Sequence, residues 1–250
     1  MRRITKQNGF SLTEMLIAVG ILAVGMLLVA GLFPVGIRFT QLSIEQSTAV
    51  AVADEAFAKI KLFGLDFDSS DWDDPVTECV DFNDVAEQDI DESEFEYPST
   101  DIDEPKQYCW SALCRQTSDD PNAPVQVTVF VCRRSTAGTR YPDPEDPHNS
   151  TVSIPMPVKV EVEDNTGRPD EIKISNADDY SFINDNYTIV DDETGRIYKV
   201  LERYADRPDT ILLNKDWQGD FSGDVYVWMV PAPASCRYPC IAVYQRVIIF

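Results

Sequence analysis

The chain has 250 residues, with 43 acidic against 21 basic side chains and a formal net charge of −22 at neutral pH. A surface of that sign argues against binding nucleic acid through its phosphates, which needs clustered Lys and Arg. Once a single apolar segment near the start is set aside, the length left suits one ordinary globular domain.

The chain opens with a basic leader (Arg2, Arg3, Lys6), followed by Gly9-Phe10-Ser11-Leu12-Thr13-Glu14 and then by an uncharged apolar run over residues 15–37. About 20 apolar residues suffice for one helical span of a bilayer. Glu14 stands at the edge of that span, where an unpaired acid costs up to about 2.5–3.5 kcal/mol, so a partner is expected. A cut after Gly9 would give Phe10 a new amino group one helical turn from Glu14, able to pair with it within one subunit or between neighbours. The basic leader predicts a cytoplasmic N-terminus, with the bulk of the chain on the far side of the membrane.

This segment resembles the class III signal of type IV prepilins and type II secretion pseudopilins. The resemblance covers about the first sixty residues. It implies that a prepilin peptidase cuts after Gly9 and methylates the new terminus at Phe10, and that Glu14 is the acid on which filament assembly depends. A conventional secretory signal has a shorter apolar core, of about 7–15 residues, and a small-residue cut site beyond it. A plain single-span anchor would explain the length of the run but not Gly9 or Glu14.

Past residue 37 the pattern turns amphipathic, with Leu42, Val50, Ala53, Phe57 and Ile60 near helical spacing and no Pro or Gly from 38 to 63. One helix from 10 to 63 would be about 80 Å long at 1.5 Å per residue, with Gly64 as its stop. Residues 65–105 contain no Lys or Arg. Aromatics are interleaved among the acids there, so the stretch reads as a long loop over one side of a sheet, with a short helix near residue 82, rather than as a disordered tail.

The remainder reads as strands: 108–115 and 125–133 form one hairpin, 187–190 and 196–201 another, and 158–162, 210–213, 225–230 and 241–249 complete the set. Strands after one long helix predict an α+β fold. With the resemblance added, the expected architecture is pilin-like: a long N-terminal helix, its first half transmembrane, packed on a C-terminal antiparallel sheet. The expected segments are the leader 1–9, the transmembrane or filament-core helix 10–37, its amphipathic continuation 38–63, an acidic loop region 64–106 and a β-rich extracytoplasmic domain 107–250.

Six cysteines suit an oxidising compartment and match no CxxC zinc pair. If the first hairpin pairs Gln116 with Val125, Cys109 falls opposite Cys132, and such a pair approaches closely at a non-hydrogen-bonded position. Cys236 and Cys240 could close a short loop before the last strand, leaving Cys79 and Cys114 without a local argument to join them. Asp66, Asp68, Asp71 and Asp73 offer hard oxygen ligands for calcium, but the EF-hand glycine and terminal glutamate are absent, and a solvated acidic loop is the simpler reading. The single histidine, His148, lies in a proline-rich loop without an obvious partner, so no enzyme is expected.

The reading that follows is a structural subunit, minor by the size of its variable region, of a type II secretion pseudopilus or type IV pilus-like filament. Its expected partners are the prepilin peptidase, other pilins or pseudopilins and the inner membrane. Tip-type minor pseudopilins usually lack the acid at the Glu14 position, which argues against that place in the filament. The alternative is a membrane-anchored extracytoplasmic binding module that never polymerises.

Overall fold

A computed structural model describes residues 11–69, 72, 78–99, 106–118, 123–136, 138–165, 167–221, 223–233 and 237–250. They fall into two compact units divided between Ser47 and Thr48, and one helix, α1 (Leu12–Phe63), contributes to both.

In the first unit α1 is exposed throughout residues 12–44, and over residues 15–37 it carries no charge on any side. Pro34 lies inside it, so one backbone donor of the i to i−4 ladder is missing there. Further along, the Thr40 and Ser47 hydroxyls donate back to the carbonyls of Gly36 and Ser43, each at 2.9 Å.

In the second unit α1 buries one stripe. Ala49, Val52, Ala53, Ala56, Phe57 and Ile60 recur every three or four residues and join a single core. Lys59 sits at the edge of the stripe and satisfies its ammonium with Glu94 (2.9 Å) and Glu55 (3.7 Å). The helix stops at Phe63 because Gly64 takes φ 75°, which only glycine adopts without strain, while its N–H still donates to the Ile60 carbonyl at 3.1 Å.

The acidic region after Gly64 is more structured than a loop. It holds β1 (Val80–Asp81), the single turn α2 (Phe82–Val85), a 3-10 turn (Glu92–Phe95) and β2 (Glu96–Tyr97). Its aromatics explain why the acids do not unfold it: Phe82 and Phe95 are buried against Trp110, with ring centroids 6.2 and 4.8 Å away.

Next come β3 (Tyr108–Gln116) and β4 (Val125–Arg133), the expected hairpin with Gln116 opposite Val125. Together with β13 (Cys240–Ile248) they build an antiparallel sheet in the order β1-β3-β4-β13, with β2 also paired to β3. Between β4 and β13 the chain makes a small ribbon, β5 (Tyr141–Pro142) with β6 (Ser150–Val152), and then a second β structure. Its strands are β7 (Val158–Asp164), β8 (Glu171–Ile174), β9 (Thr188–Asp191), β10 (Ile197–Arg203), β11 (Thr210–Leu213) and β12 (Val225–Met229). They close into a barrel in the order β10-β11-β8-β7-β12-β9.

The α+β class thus holds, with an addition: the strands do not form one sheet under the helix. The six-stranded barrel has its own core, including Val160, Ile172, Ile189, Tyr198, Ile211 and Val227, and closure leaves it no unpaired edge. Val190 and Trp228 on barrel strands belong instead to the core of the sheet, and Tyr238 packs against both cores.

Candidate functional site

Ser11 precedes the first helical residue, so it is the N-cap of α1 and Glu14 is the third helical residue. The Ser11 N–H donates to Glu14 Oε2 at 3.1 Å, and the Met15 N–H donates to the Ser11 carbonyl at 3.2 Å. A Ser followed three residues later by Glu is a capping box, in which the Glu reaches back to the otherwise unpaired N-cap N–H. Here the Glu half is formed, while the Ser11 and Thr13 hydroxyls contact one another at 2.8 Å. The Ser11-x-x-Glu14 spacing is legible in the sequence, but the capping role is hidden when Glu14 is read only as an assembly acid.

Beyond Glu14 the helix presents no charge until Arg38, and side chains such as Leu27 and Phe33 are 73% and 67% exposed. Gly20, Gly25, Gly31 and Gly36 have no neighbouring atom within 4 Å of where a Cβ would stand. Among the described residues nothing therefore requires their smallness. A helix of this kind satisfies its backbone internally and offers only apolar side chains, as a lipid interior or a bundle of like helices demands.

Residues 4–30 match the family model for the prokaryotic N-terminal methylation motif. The chain carries a class III prepilin signal. Neither a curated protein nor a solved structure matches the chain. The prepilin signal implies processing by a prepilin peptidase and assembly with other pilins. Gly9, Phe10 and Glu14 all fall within the matched segment; Gly9 and Phe10 lie outside the described residues, and Glu14 is the helix-capping acid described above. The helix behind the prepilin signal is long and apolar enough to cross a membrane.

The other sequence candidates are scattered. Asp66 spends its Oδ1 on the Asp68 N–H at 3.0 Å, and its carbonyl accepts from Trp72 Nε1 at 2.8 Å. Asp71 and Asp73, which would complete a calcium set, lie outside the described residues, as does Cys236. Among the described residues no group of three or more His, Cys, Asp or Glu side chains is arranged to hold a metal ion. His148 stacks on Phe182 and sits 3.3 Å from Asp179. Cys109 and Cys132 are opposite one another as the hairpin register requires, but Cys132 also faces Cys240 on its other side.

Two polar clusters in the second unit escape sequence reading because each is completed by residues distant in the chain. In the first, Asp192 accepts from Trp228 Nε1 at 2.5 Å and from the Cys79 N–H at 3.1 Å, and it pairs with Lys159 at 3.1 Å. Burial pushes the Asp192 carboxyl above its ordinary value, against the pull of Lys159. The Lys159 ammonium is itself opposed by burial, yet Asp192 and Glu78 outweigh that and hold it above its ordinary value. In the second, Glu171 is fully buried beneath Arg168 (2.5 Å), Asn165 (2.6 Å), Tyr204 (2.9 Å) and Arg207 (3.6 Å). Burial works against its charge, but these partners prevail and lower its pKa. Both clusters tie loops to barrel strands.

Proposed function

We propose that this chain is a non-enzymatic structural subunit, a minor one, of a type II secretion pseudopilus or type IV pilus-like filament. It enters the inner membrane as a prepilin with its N-terminus in the cytoplasm, is cut after Gly9, methylated at Phe10 and polymerised through α1. The observation that carries this reading is the prepilin signal at residues 4–30 leading directly into an apolar helix whose only acid before Arg38 is Glu14. In apolar surroundings Glu14 and the Phe10 amine of an adjacent subunit penalise any register that leaves either unpaired. The exposed glycines along α1 suit close helix–helix approach in such a bundle.

The test is incorporation. Glu14→Ala should insert and be cleaved normally yet be recovered in the sheared filament fraction at less than about a tenth of the wild-type amount, a loss equivalent to about 1.4 kcal/mol or more. Recovery at wild-type levels contradicts the role of Glu14.

The closed barrel favours a second reading, a membrane-anchored extracytoplasmic binding module that never polymerises, because a filament core makes no use of such an insertion. Under that reading Glu14→Ala loses only its helix cap, and the wild-type chain itself stays out of the sheared fraction.

A further inference from the structure

Cys109, Cys132 and Cys240 stand in one row across three adjacent strands, β3, β4 and β13. All three are buried, and Cys132 has a cysteine neighbour on each side. The hydrogen bonding of the two ladders separates these neighbours. On the β3–β4 ladder, the Thr117 N–H donates to the Pro124 carbonyl at 3.2 Å and the Arg134 N–H to the Gln107 carbonyl at 2.9 Å. Both bonds join directly opposed residues, and directly opposed pairs alternate between bonded and unbonded along an antiparallel ladder. Counting two residues inward from Gln107–Arg134, Cys109 and Cys132 form a hydrogen-bonded pair, with Cα atoms about 5.5 Å apart and side chains diverging.

On the β4–β13 ladder the phase is opposite. The Arg133 N–H donates to the Pro239 carbonyl at 2.8 Å, so Arg133–Pro239 is the bonded pair and Cys132–Cys240, one step on, is unbonded. There opposed Cα atoms approach to about 4.5 Å and the side chains converge. A disulfide needs Cβ atoms about 3.8 Å apart, which this position favours and the other does not. In this structure all three are thiols, with the Cys109 Sγ directed to the Cys132 carbonyl at 3.8 Å and the Cys240 Sγ to the Ala242 carbonyl at 3.6 Å, so the phase of the two ladders is what singles out Cys132 and Cys240.

We propose that Cys132 and Cys240 form a disulfide that locks the neck of the barrel insertion. Everything between β4 and β13, the whole barrel included, leaves the sheet just past Arg133, the residue after Cys132, and returns to it at Cys240. Tyr238, two residues before Cys240, stacks on Tyr187 with centroids 3.7 Å apart and accepts from the Thr188 N–H at 3.1 Å, so the neck also holds the barrel end of β9. Cys109 stays a thiol.

The bond forms by exchange with a donor disulfide, either a thiol–disulfide oxidoreductase or oxidised glutathione. One cysteine thiolate attacks the donor, giving a mixed disulfide and releasing one donor thiolate; the second displaces the other donor sulfur. Two cysteine thiols are oxidised to one disulfide, one donor disulfide is reduced to two thiols, and the two thiol protons end on the donor. Burial holds the Cys132 thiol far above its ordinary range, so exchange precedes closure of the core, and the finished bond is shielded from reductants.

In cells the proposal rests on the extracytoplasmic placement given under Proposed function, so the experiment has two arms. In the first, the full chain is taken from the membranes of cells with an active prepilin peptidase, alkylated and mapped without reduction. In the second, the detergent-solubilised full chain is denatured, reduced and refolded in a glutathione redox buffer before the same mapping. Both arms should give one linked peptide pair containing Cys132 and Cys240, lighter by two hydrogens than the free pair. Cys109→Ser should leave it unchanged and Cys240→Ser should abolish it. If the second arm gives the pair and the first does not, the disulfide stands and the extracytoplasmic reading fails. Cys109–Cys132 or Cys236–Cys240 as the dominant pair in the second arm, or free thiols in chain that has regained its native circular dichroism, overturns the proposal. Should Cys240→Ser fail to fold, Cys132→Ala/Cys240→Ala decides the matter, since it must remove the linked pair while Cys109 remains alkylatable.

Discussion

Glu14 answers two demands, and two substitutions separate them. As the acid of a capping box it holds the Ser11 N–H, and as a charge it is the proposed partner of the Phe10 amine. Glu14→Gln keeps an acceptor of similar reach but removes the charge. We expect the glutamine variant to retain slow amide exchange at Ser11 in detergent micelles and still fail to enter filaments; Glu14→Ala should lose both, at a helix-end cost of about 0.5–2 kcal/mol. Filament entry by Glu14→Gln chains at the wild-type level would leave capping as the acid's only role. Asp81 poses a different problem. Its Oδ1 caps α2 through the Asn83 N–H at 2.9 Å, but Oδ2 is buried with no partner among the described residues. Burial pushes its pKa from 3.8 to about 7. Between about pH 4 and 7 the folded chain therefore keeps a proton that the unfolded chain has released, and stability falls as pH rises through that window. Asp81→Asn, which preserves the cap, should raise the denaturation midpoint at pH 8 and flatten the slope between pH 4 and 7. An unchanged slope by chemical denaturation would contradict this. Glu171 gives the opposite limb: its lowered pKa stabilises the fold above about pH 4.5, and that contribution fades as pH falls through the folded-state value. Glu171→Gln should cost about 1–3 kcal/mol at neutral pH and progressively less in acid.

Among the elements, α1 divides its labour, and the division is visible in composition. Residues 15–37 are uncharged and exposed, whereas from Ala49 onward a stripe of small and aromatic residues meets the sheet. Phe57 is the largest side chain on that stripe, with the Arg246 guanidinium 4.5 Å above its ring. Phe57→Ala should cost about 3–5 kcal/mol in denaturant unfolding, as buried aromatics do. Gly64→Ala should cost about 1–2 kcal/mol, since its φ of 75° is strained for any Cβ-bearing residue. Both hairpins were legible because their strands are close in sequence: 116–125 joins two nine-residue strands, and Asp191 to Gly195 carries the turn between β9 and β10. β8 was missed because Glu171–Ile174 is short, begins with a buried acid and gains its stability from distant partners. The opposition of Cys132 and Cys240 was equally hidden, because it depends on β13 returning to β4 after the barrel is complete.

At the scale of the whole molecule, the sequence conveyed the class but not the division into sheet and barrel. Helix-then-strands is a local pattern and survived intact. Barrel closure depends on β12 pairing with both β7 and β9, and on β10 meeting β11 and β11 meeting β8, contacts that periodicity does not encode. The acids of residues 65–99 suggested an open loop because their charges are conspicuous, while the burial of Phe82, Val85 and Phe95 holds much of that stretch to the sheet. The functional signal had the reverse character. It is wholly local, lying within the leader, Gly9, Phe10 and Glu14, and it was legible from the first residues onward. The account as a whole stands on what happens to that signal in the cell. Mass spectrometry of the N-terminal peptide, on chain recovered from cells with and without prepilin peptidase, measures it directly. The expected result is a terminus at N-methyl-Phe10 when the peptidase is present and an uncut Gly9–Phe10 bond when it is absent. A terminus still at Met1, or a cut near Ala30, in cells with active peptidase would contradict it.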